Sequence, residues 1–428
     1  MDKASPGSWF GQPKGLTVLF LTEMWEKFSF FGMRALQVYY MTKQLHFSQS
    51  DASLVFGFYG AGVYLTPIFG GIVSDRWLGR RRAVLIGGLL MAVGHFMMTS
   101  EALFFPAMVV IALGNGLFLP NLPSQVGGLY AANDPRRGGA FNIYYVGVNL
   151  GALLAPLICG TLGEVYGWHY GFGAAGIGMC LGLLIYVLGG QYLPDDVAAA
   201  KTEITDTAAE GPRALFGLLY IGAAVVIFRI AYEQTGNTLA LWADTAVDRT
   251  FMGSTIPVTW FQSLNPLFVF VLTPLLVSMW KRAAAAGREI SGPRKMALGA
   301  FGLAISYALL AAVSHATGVS AEKTSWLWLV VFFVVLTASE LYILPVGLGM
   351  FALLAPRRFG ATTIAAWFLA SFGGNLLAGV VGSWWSSTSP ATFFAAMAGL
   401  AVLSAALLYA FELPSRRHGG QAQPQRTP

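Results

Sequence analysis

Twelve apolar runs joined by short polar segments divide the chain. They lie near residues 15–42, 52–74, 82–100, 102–124, 138–163, 170–193, 213–243, 255–280, 293–316, 325–354, 359–386 and 390–411. Each is close to the roughly 20 residues that an α-helix needs to cross a bilayer. In hydrocarbon a spanning segment has to satisfy its own backbone N–H and C=O groups, and runs of this length do so as helices. The pattern predicts an all-α integral membrane protein. Composition agrees: 56% of the 428 residues are hydrophobic, 11% are charged, and the mean hydropathy is +0.61, which excludes an ordinary soluble domain.

The basic residues test the count. If both termini are cytoplasmic, all but six of the 26 Lys and Arg fall in inner segments. The exceptions are Lys43, Arg249 and Lys323 in outer loops and Lys27, Arg34 and Arg229 within spans. This asymmetry is what the positive-inside rule predicts, and a miscounted helix would scramble it. The net charge of +6 then reflects an anionic inner leaflet and calls for no nucleic-acid partner. The polar start runs directly into a full-length span, so no cleavable signal peptide is expected. Cys159 and Cys180 both fall within spans and give no disulfide framework. Residues 194–212 are the one break in composition, an acidic linker that separates six spans from six. The expected organisation is a six-helix bundle over 1–193, a cytoplasmic linker over 194–212, a second bundle over 213–412 and a disordered cytoplasmic tail over 413–428. A multi-pass inner-membrane monomer is the expectation.

The first run carries four ionised side chains, Glu23, Glu26, Lys27 and Arg34. Each costs roughly 2.5–3.5 kcal/mol at mid-membrane, so they are tolerated only facing protein or water. At roughly 100° per residue, Glu23, Glu26, Lys27, Phe30, Arg34 and Gln37 share one arc, with Leu19, Trp25, Phe28 and Leu36 pointing elsewhere. Glu23 and Lys27 form an i, i+4 pair in the favourable order.

Further along, Gly57, Gly60 and Gly62 predict close helix approach, with Tyr64 and Pro67 on the same span. The stretch from Gly70 to Arg82 resembles the loop signature of the major facilitator superfamily. In it, Asp75 facing Arg76 and Arg80 forms a candidate latch between helices. Two glycines and two prolines between Gly114 and Pro123 predict a broken fourth span, whose freed backbone groups line a cavity. Asn149 is a lone amide in an apolar stretch, and Asn265 precedes Pro266 in span eight. Arg229 and Glu233 form a second i, i+4 pair in span seven, and Glu340 lies in span ten with no basic neighbour. Four intramembrane acids (Glu23, Glu26, Glu233, Glu340) thus face three bases, and such groups mark substrate or ion pathways. One acid must be protonated, solvated, or able to take a proton from one side and release it at the other, and Glu340 is the first candidate. No HExxH or G-x-S-x-G motif is present and the histidines are scattered, so an enzyme is not expected.

The combination resembles the proton-dependent oligopeptide transporter family of the major facilitator superfamily. Glu23-x-x-Glu26-Lys27-Phe28 looks like the family's E-x-x-E-R-F signature. Matches then follow in order: the fourth-span GLF-x-PN, Tyr144-Tyr145 through Asn149, Tyr232-Glu233-Gln234, Gln262 to Pro266, Glu340 with Pro345 to Leu348, and Trp367-Phe368-Leu369. The resemblance implies twelve transmembrane helices in two pseudosymmetric six-helix bundles. It further implies alternating access and proton-coupled import of di- and tripeptides, with protons as coupling ions and no cofactor or metal. A peptide carboxylate would meet Arg34 and Lys27. Its amino group would meet Glu340, helped by Asn149 and Asn265, while Phe30, Phe31, Tyr64, Trp367 and Ser371 would shape side-chain pockets. Glu23, Glu26, Lys27, Glu233 and Glu340 would couple protons, and Arg229 would join the gating set.

The chain departs from the family pattern at three places. Leu119 stands where the family has lysine, Lys27 replaces the signature arginine, and Phe30-Phe31 replaces tyrosines. The linker is also too short for the two extra helices of many bacterial members. The local pairs Glu23–Lys27 and Arg229–Glu233 are expected to take over part of the lost charge balance. A carrier of another small zwitterionic or anionic metabolite, or a transport-inactive sensor, are the alternatives.

Overall fold

The computed structural model of the chain describes residues 11–131, 134–194, 212–320, 322–354 and 360–419. Its first half runs α1 (Lys14–Lys43), α2 (Gln49–Val73), α3 (Arg80–Met97), α4 (Phe104–Phe118), α5 (Asn121–Gly128), α6 (Arg136–Ala155) and α7 (Trp168–Leu188). The second runs α8 (Pro212–Tyr232), α9 (Thr238–Ala246), α10 (Leu264–Ala285), α11 (Gly292–Ser320), α12 (Leu327–Leu354), α13 (Gly360–Gly382) and α14 (Pro390–Gly419). With α4–α5 and α8–α9 each counted as one broken segment, the described residues form twelve helical segments, consistent with the twelve apolar runs. Ten are long and apolar enough to cross a membrane. The other two are α1, with six charged residues, and α3, which opens on an arginine triplet. The expected linker falls on residues 195–211, outside the described residues. The final helix continues to Gly419, past the run that ended near 411, and only 420–428 of the expected tail lie outside the described residues.

Local chemistry sets the breaks. Pro120 separates α4 from α5, as its missing N–H and fixed φ require. Asn115, beside the break, donates its amide to the Val63 carbonyl at 3.0 Å and ties the segment to α2. The break between α8 and α9 is a 3₁₀ turn, Glu233–Gly236, followed by Asn237 in an irregular conformation. Two small strand pairs, Val247–Asp248 with Thr324–Ser325 and Thr250–Phe251 with Ser254–Thr255, decorate one end and leave the all-α class intact. The second is a hairpin closed by Met252 and Gly253, both at positive φ, as a tight two-residue turn needs.

In the first half α1 packs on α6 and α7, and α3 on α4 and α7; in the second α11 packs on α12 and α14, and α8 on α13 and α14. The halves meet along α2 and α13. There Gly57 and Gly379 bring two backbones together: a Cβ on Gly57 would lie 2.7 Å from the Gly379 nitrogen.

Polar contacts between the halves gather at one end, the sealed end. Lys43 pairs with Asp244 at 2.6 Å, and the Tyr39 hydroxyl donates to the Ala240 carbonyl at 2.9 Å. Ser53 donates to Asn237 and Gln49 to the Gly382 carbonyl, both at 2.9 Å. Glu164 accepts the backbone N–H groups of Val258 and Thr259 at 3.0 and 2.8 Å and the Thr259 hydroxyl at 2.6 Å. A carboxylate from one half thus caps a helical turn of the other, where the free N–H groups favour negative charge. The opposite, basic end carries Arg80, Arg81, Arg82, Arg136, Lys281 and Arg282.

A valine at Gly57 is expected to hold this end apart. Overpacking typically costs about 1–3 kcal/mol. The reaction rate of a thiol reagent with Ser53→Cys should rise on adding Gly57→Val; an unchanged rate would place the seal elsewhere.

Candidate functional site

A cavity of about 250 Å³ lies between the halves. The first half lines it with Phe30, Phe31, Arg34, Tyr64, Tyr145, Val148, Asn149, Ala152 and Pro156. The second supplies Arg229, Tyr232, Glu233, Thr235, Gly236, Gln262, Asn265, Pro266, Phe333, Leu336, Glu340 and Leu344. Nine residues marked in the sequence therefore share one wall-to-wall space: Phe30, Phe31, Arg34, Tyr64, Asn149, Arg229, Glu233, Asn265 and Glu340.

Its electrostatics centre on Glu233, which the 3₁₀ turn between α8 and α9 aims inward. One carboxylate oxygen accepts from Arg229 at 2.8 Å and from the Asn375 amide at 3.3 Å. The other pairs with Arg34, an ion pair that crosses from one half to the other. Arg34 also lies over the Phe56 ring, 4.9 Å from its centroid, and Arg229 over Tyr64 at 5.2 Å. Both planar cations therefore keep an aromatic face while desolvated. Glu340 forms no ion pair among the described residues. It accepts the Asn265 amide at 2.6 Å, and Asn265 also donates to Thr337 at 3.2 Å. Asn149 donates to the Tyr145 carbonyl at 3.0 Å, leaving its carbonyl oxygen available to the cavity.

Several marked residues sit elsewhere. Lys27 does not line the cavity: it pairs with Glu26 at 2.7 Å and Glu23 at 3.3 Å, in a buried cluster on α1. Neither carboxylate reaches the cavity wall. Trp367 is buried against Phe351, edge to face with ring centroids 5.3 Å apart, and Ser371 turns back to the Trp367 carbonyl at 3.1 Å. The candidate latch is open: Asp75 and Arg76 are exposed, and neither they nor Arg80 form an ion pair among the described residues. That joint is held by Ser74, which donates to Asn121 at 2.7 Å. Both expected local pairs, Glu23–Lys27 and Arg229–Glu233, are present. The charge inventory splits in two. The cavity holds two arginines and two glutamates, and the surplus acid lies in the α1 cluster. Tyr145, Tyr232, Gln262, Phe333 and Leu336 are lining residues that no charge or spacing in the sequence marks as site residues.

The sequence pattern of the POT family matches residues 81–197 and 194–394. The chain belongs to the POT family. Among POT relatives, it is 32% identical to the peptide transporter YePEPT of Yersinia enterocolitica, over 99% of each chain. It is 33% identical to a di-/tripeptide transporter of Lactococcus lactis, over 85% of this chain and 88% of that one. In solved structures, it matches the peptide transporter POT in complex with sulfate at a TM-score of 0.87 and 31% identity, covering 96% of each chain. It also matches a POT family transporter in complex with 5-aminolevulinic acid, at a TM-score of 0.85 and 26% identity, covering 94% of this chain and 97% of that one. This POT protein is therefore a multi-pass membrane protein of a transporter family with the major facilitator architecture.

Leu119, at the break between α4 and α5, does not line the cavity, and Glu233 has two arginines without it. A lysine there would add a base to a membrane interior with more acids than bases, and a cation that reaches a carboxyl disfavours its protonation. Leu119→Lys is expected to move the pH profile of uptake towards acid by about one unit. Unchanged uptake and pH dependence would show that position 119 has no part in coupling.

Proposed function

We propose that the protein imports di- and tripeptides with protons by alternating access across the cell membrane. The observation that carries this reading is the cavity between the halves, with Arg34 and Arg229 around Glu233 and a separate carboxylate at Glu340. A peptide's carboxylate takes a guanidinium, and its ammonium takes Glu340 with the Asn265 amide beside it. Recognition of ends rather than side chains admits many sequences, which fits the di-/tripeptide transporters among its relatives. The positive-inside rule places the basic end, both termini and the linker in the cytoplasm, so the sealed end faces outward and this conformation is inward-facing. Opening of the sealed end, with closure of the basic end, is the other half of the cycle. Asp75, Arg76 and Arg80 are the candidates to pair in that state. The two six-helix bundles, joined by the linker, are the moving parts of a monomer.

The test is uptake of labelled dialanine into proteoliposomes. An inward proton gradient should drive accumulation above the outside concentration. Gradient-independent equilibration would overturn the coupling. No dialanine entry, with a small zwitterion such as 5-aminolevulinic acid taken up instead, would favour the second reading, a carrier of such metabolites; that reading draws on the solved neighbour that binds this compound.

A further inference from the structure

We propose that Arg229 is a specificity-determining residue that selects peptides carrying an acidic side chain. The inference rests on the peptide reading above and deepens it.

The cavity holds two guanidinium groups and one carboxylate between them. Each guanidinium has five N–H donors and no acceptor. Glu233 takes one hydrogen bond from Arg229 and an ion pair from Arg34, and it accepts Asn375 as well. The cavity is therefore rich in donors around Glu233. The Nε of Arg229 is buried and has no hydrogen-bond partner among the described residues. A buried charged donor left without an acceptor favours any ligand that brings one.

The two arginines differ in where they are anchored. Arg34 reaches Glu233 from the other half, whereas Arg229 lies one helical turn before it on the same segment. When a peptide carboxylate draws Arg34 away, Arg229 still sits at Glu233. A zwitterionic peptide then leaves each charge with one partner: Arg34 with the peptide carboxylate, Arg229 with Glu233, and the ammonium with Glu340. In that arrangement the Nε of Arg229 is still without an acceptor among the described residues. A second carboxylate on the peptide fills that place. An additional ammonium, by contrast, finds only Glu233, which Arg229 already holds. The order of preference is thus acidic, then neutral, then basic.

The test is competition against labelled dialanine uptake by Ala-Glu, Ala-Gln and Ala-Lys, with the intact protein in proteoliposomes. Ala-Glu and Ala-Gln have nearly the same shape, so their difference reports charge. Ala-Glu should inhibit at about tenfold lower concentration than Ala-Gln, in line with one charged hydrogen bond, and Ala-Lys should be the weakest. Arg229→Gln should bring the three peptides together, while Arg229→Lys should keep the order. Equal inhibition by Ala-Glu and Ala-Gln in the unmodified protein would overturn the assignment and leave the peptide reading standing. Persistence of the order in Arg229→Gln would also overturn it. If none of the three inhibits, the peptide reading itself fails. The comparison on the unmodified protein decides the matter even if Arg229→Gln does not fold.

Discussion

Replacing Glu340 by glutamine is expected to abolish accumulation of peptide against a gradient while still permitting exchange of labelled for unlabelled peptide, at higher peptide concentration. The side chains have the same shape, and the Asn265 amide that donates to Glu340 at 2.6 Å still finds an oxygen acceptor in glutamine. The fold and the cavity outline should therefore survive. What glutamine lacks is a proton to take and release, and a charge for the peptide ammonium. One elementary charge crossing 100 mV is worth about 2.3 kcal/mol. For one coupled proton, that corresponds to about 50-fold accumulation in the unmodified protein. In Glu340→Gln the ratio of inside to outside peptide should settle at unity. Wild-type accumulation in this variant would remove Glu340 from the coupling path and leave Glu233 or the α1 cluster to serve.

Arg34→Ala should lose peptide binding by a factor of roughly 10 to 100, the worth of a charged hydrogen bond in a desolvated site. Among the described residues, Arg34 is the cavity's one cation from the first half, and its ion pair with Glu233 is the charged contact that joins the halves at the level of the cavity. Removing it takes away the proposed carboxylate site and a tether between the moving parts. Glu233 retains Arg229 at 2.8 Å, so the variant is not left with an unpaired buried acid and should fold. Arg34→Lys keeps the charge but gives up the planar fork, and should recover only part of the affinity. Half-saturation of dialanine uptake measures both. Equal values for wild type and Arg34→Ala would move the carboxylate site to Arg229.

Much of this was legible in the sequence, because the bilayer leaves a spanning chain few options. Run lengths gave twelve crossings, and Pro120 marked the broken fourth segment. The arc on α1 was half right. Arg34 and Phe30 reach the cavity, whereas Glu23, Glu26 and Lys27, on the same arc, are buried in a cluster of their own. The reason is that α1 is a central helix packed on nearly every side. Leu19, Phe28 and Leu36, expected to point away, are as buried as the charges. A helical wheel finds which residues share a face, but not where along that face the neighbouring helix gives way to open space. The break at Glu233 was also missed. Thr235-Gly236-Asn237, inside the run near 213–243, is the local signal for it. Trp367 and Ser371 followed from resemblance alone, and local packing on α13 and Phe351 holds them outside the cavity. The pairing of Arg34 with Glu233 joins positions about 200 residues apart, which no local spacing can predict.

The most direct test of the central claim, that groups of both halves converge on a water-filled space where peptide binds, is cysteine accessibility. Val148 lines the cavity without a polar role, Cys159 is buried, and the exposed Cys180 can be replaced by serine. In a Val148→Cys, Cys180→Ser protein, a membrane-impermeant thiol reagent applied at the basic end should label position 148, and saturating dialanine should prevent the labelling. A thiol that stays unreactive from that end, or one that reacts equally with and without dialanine, would contradict the account.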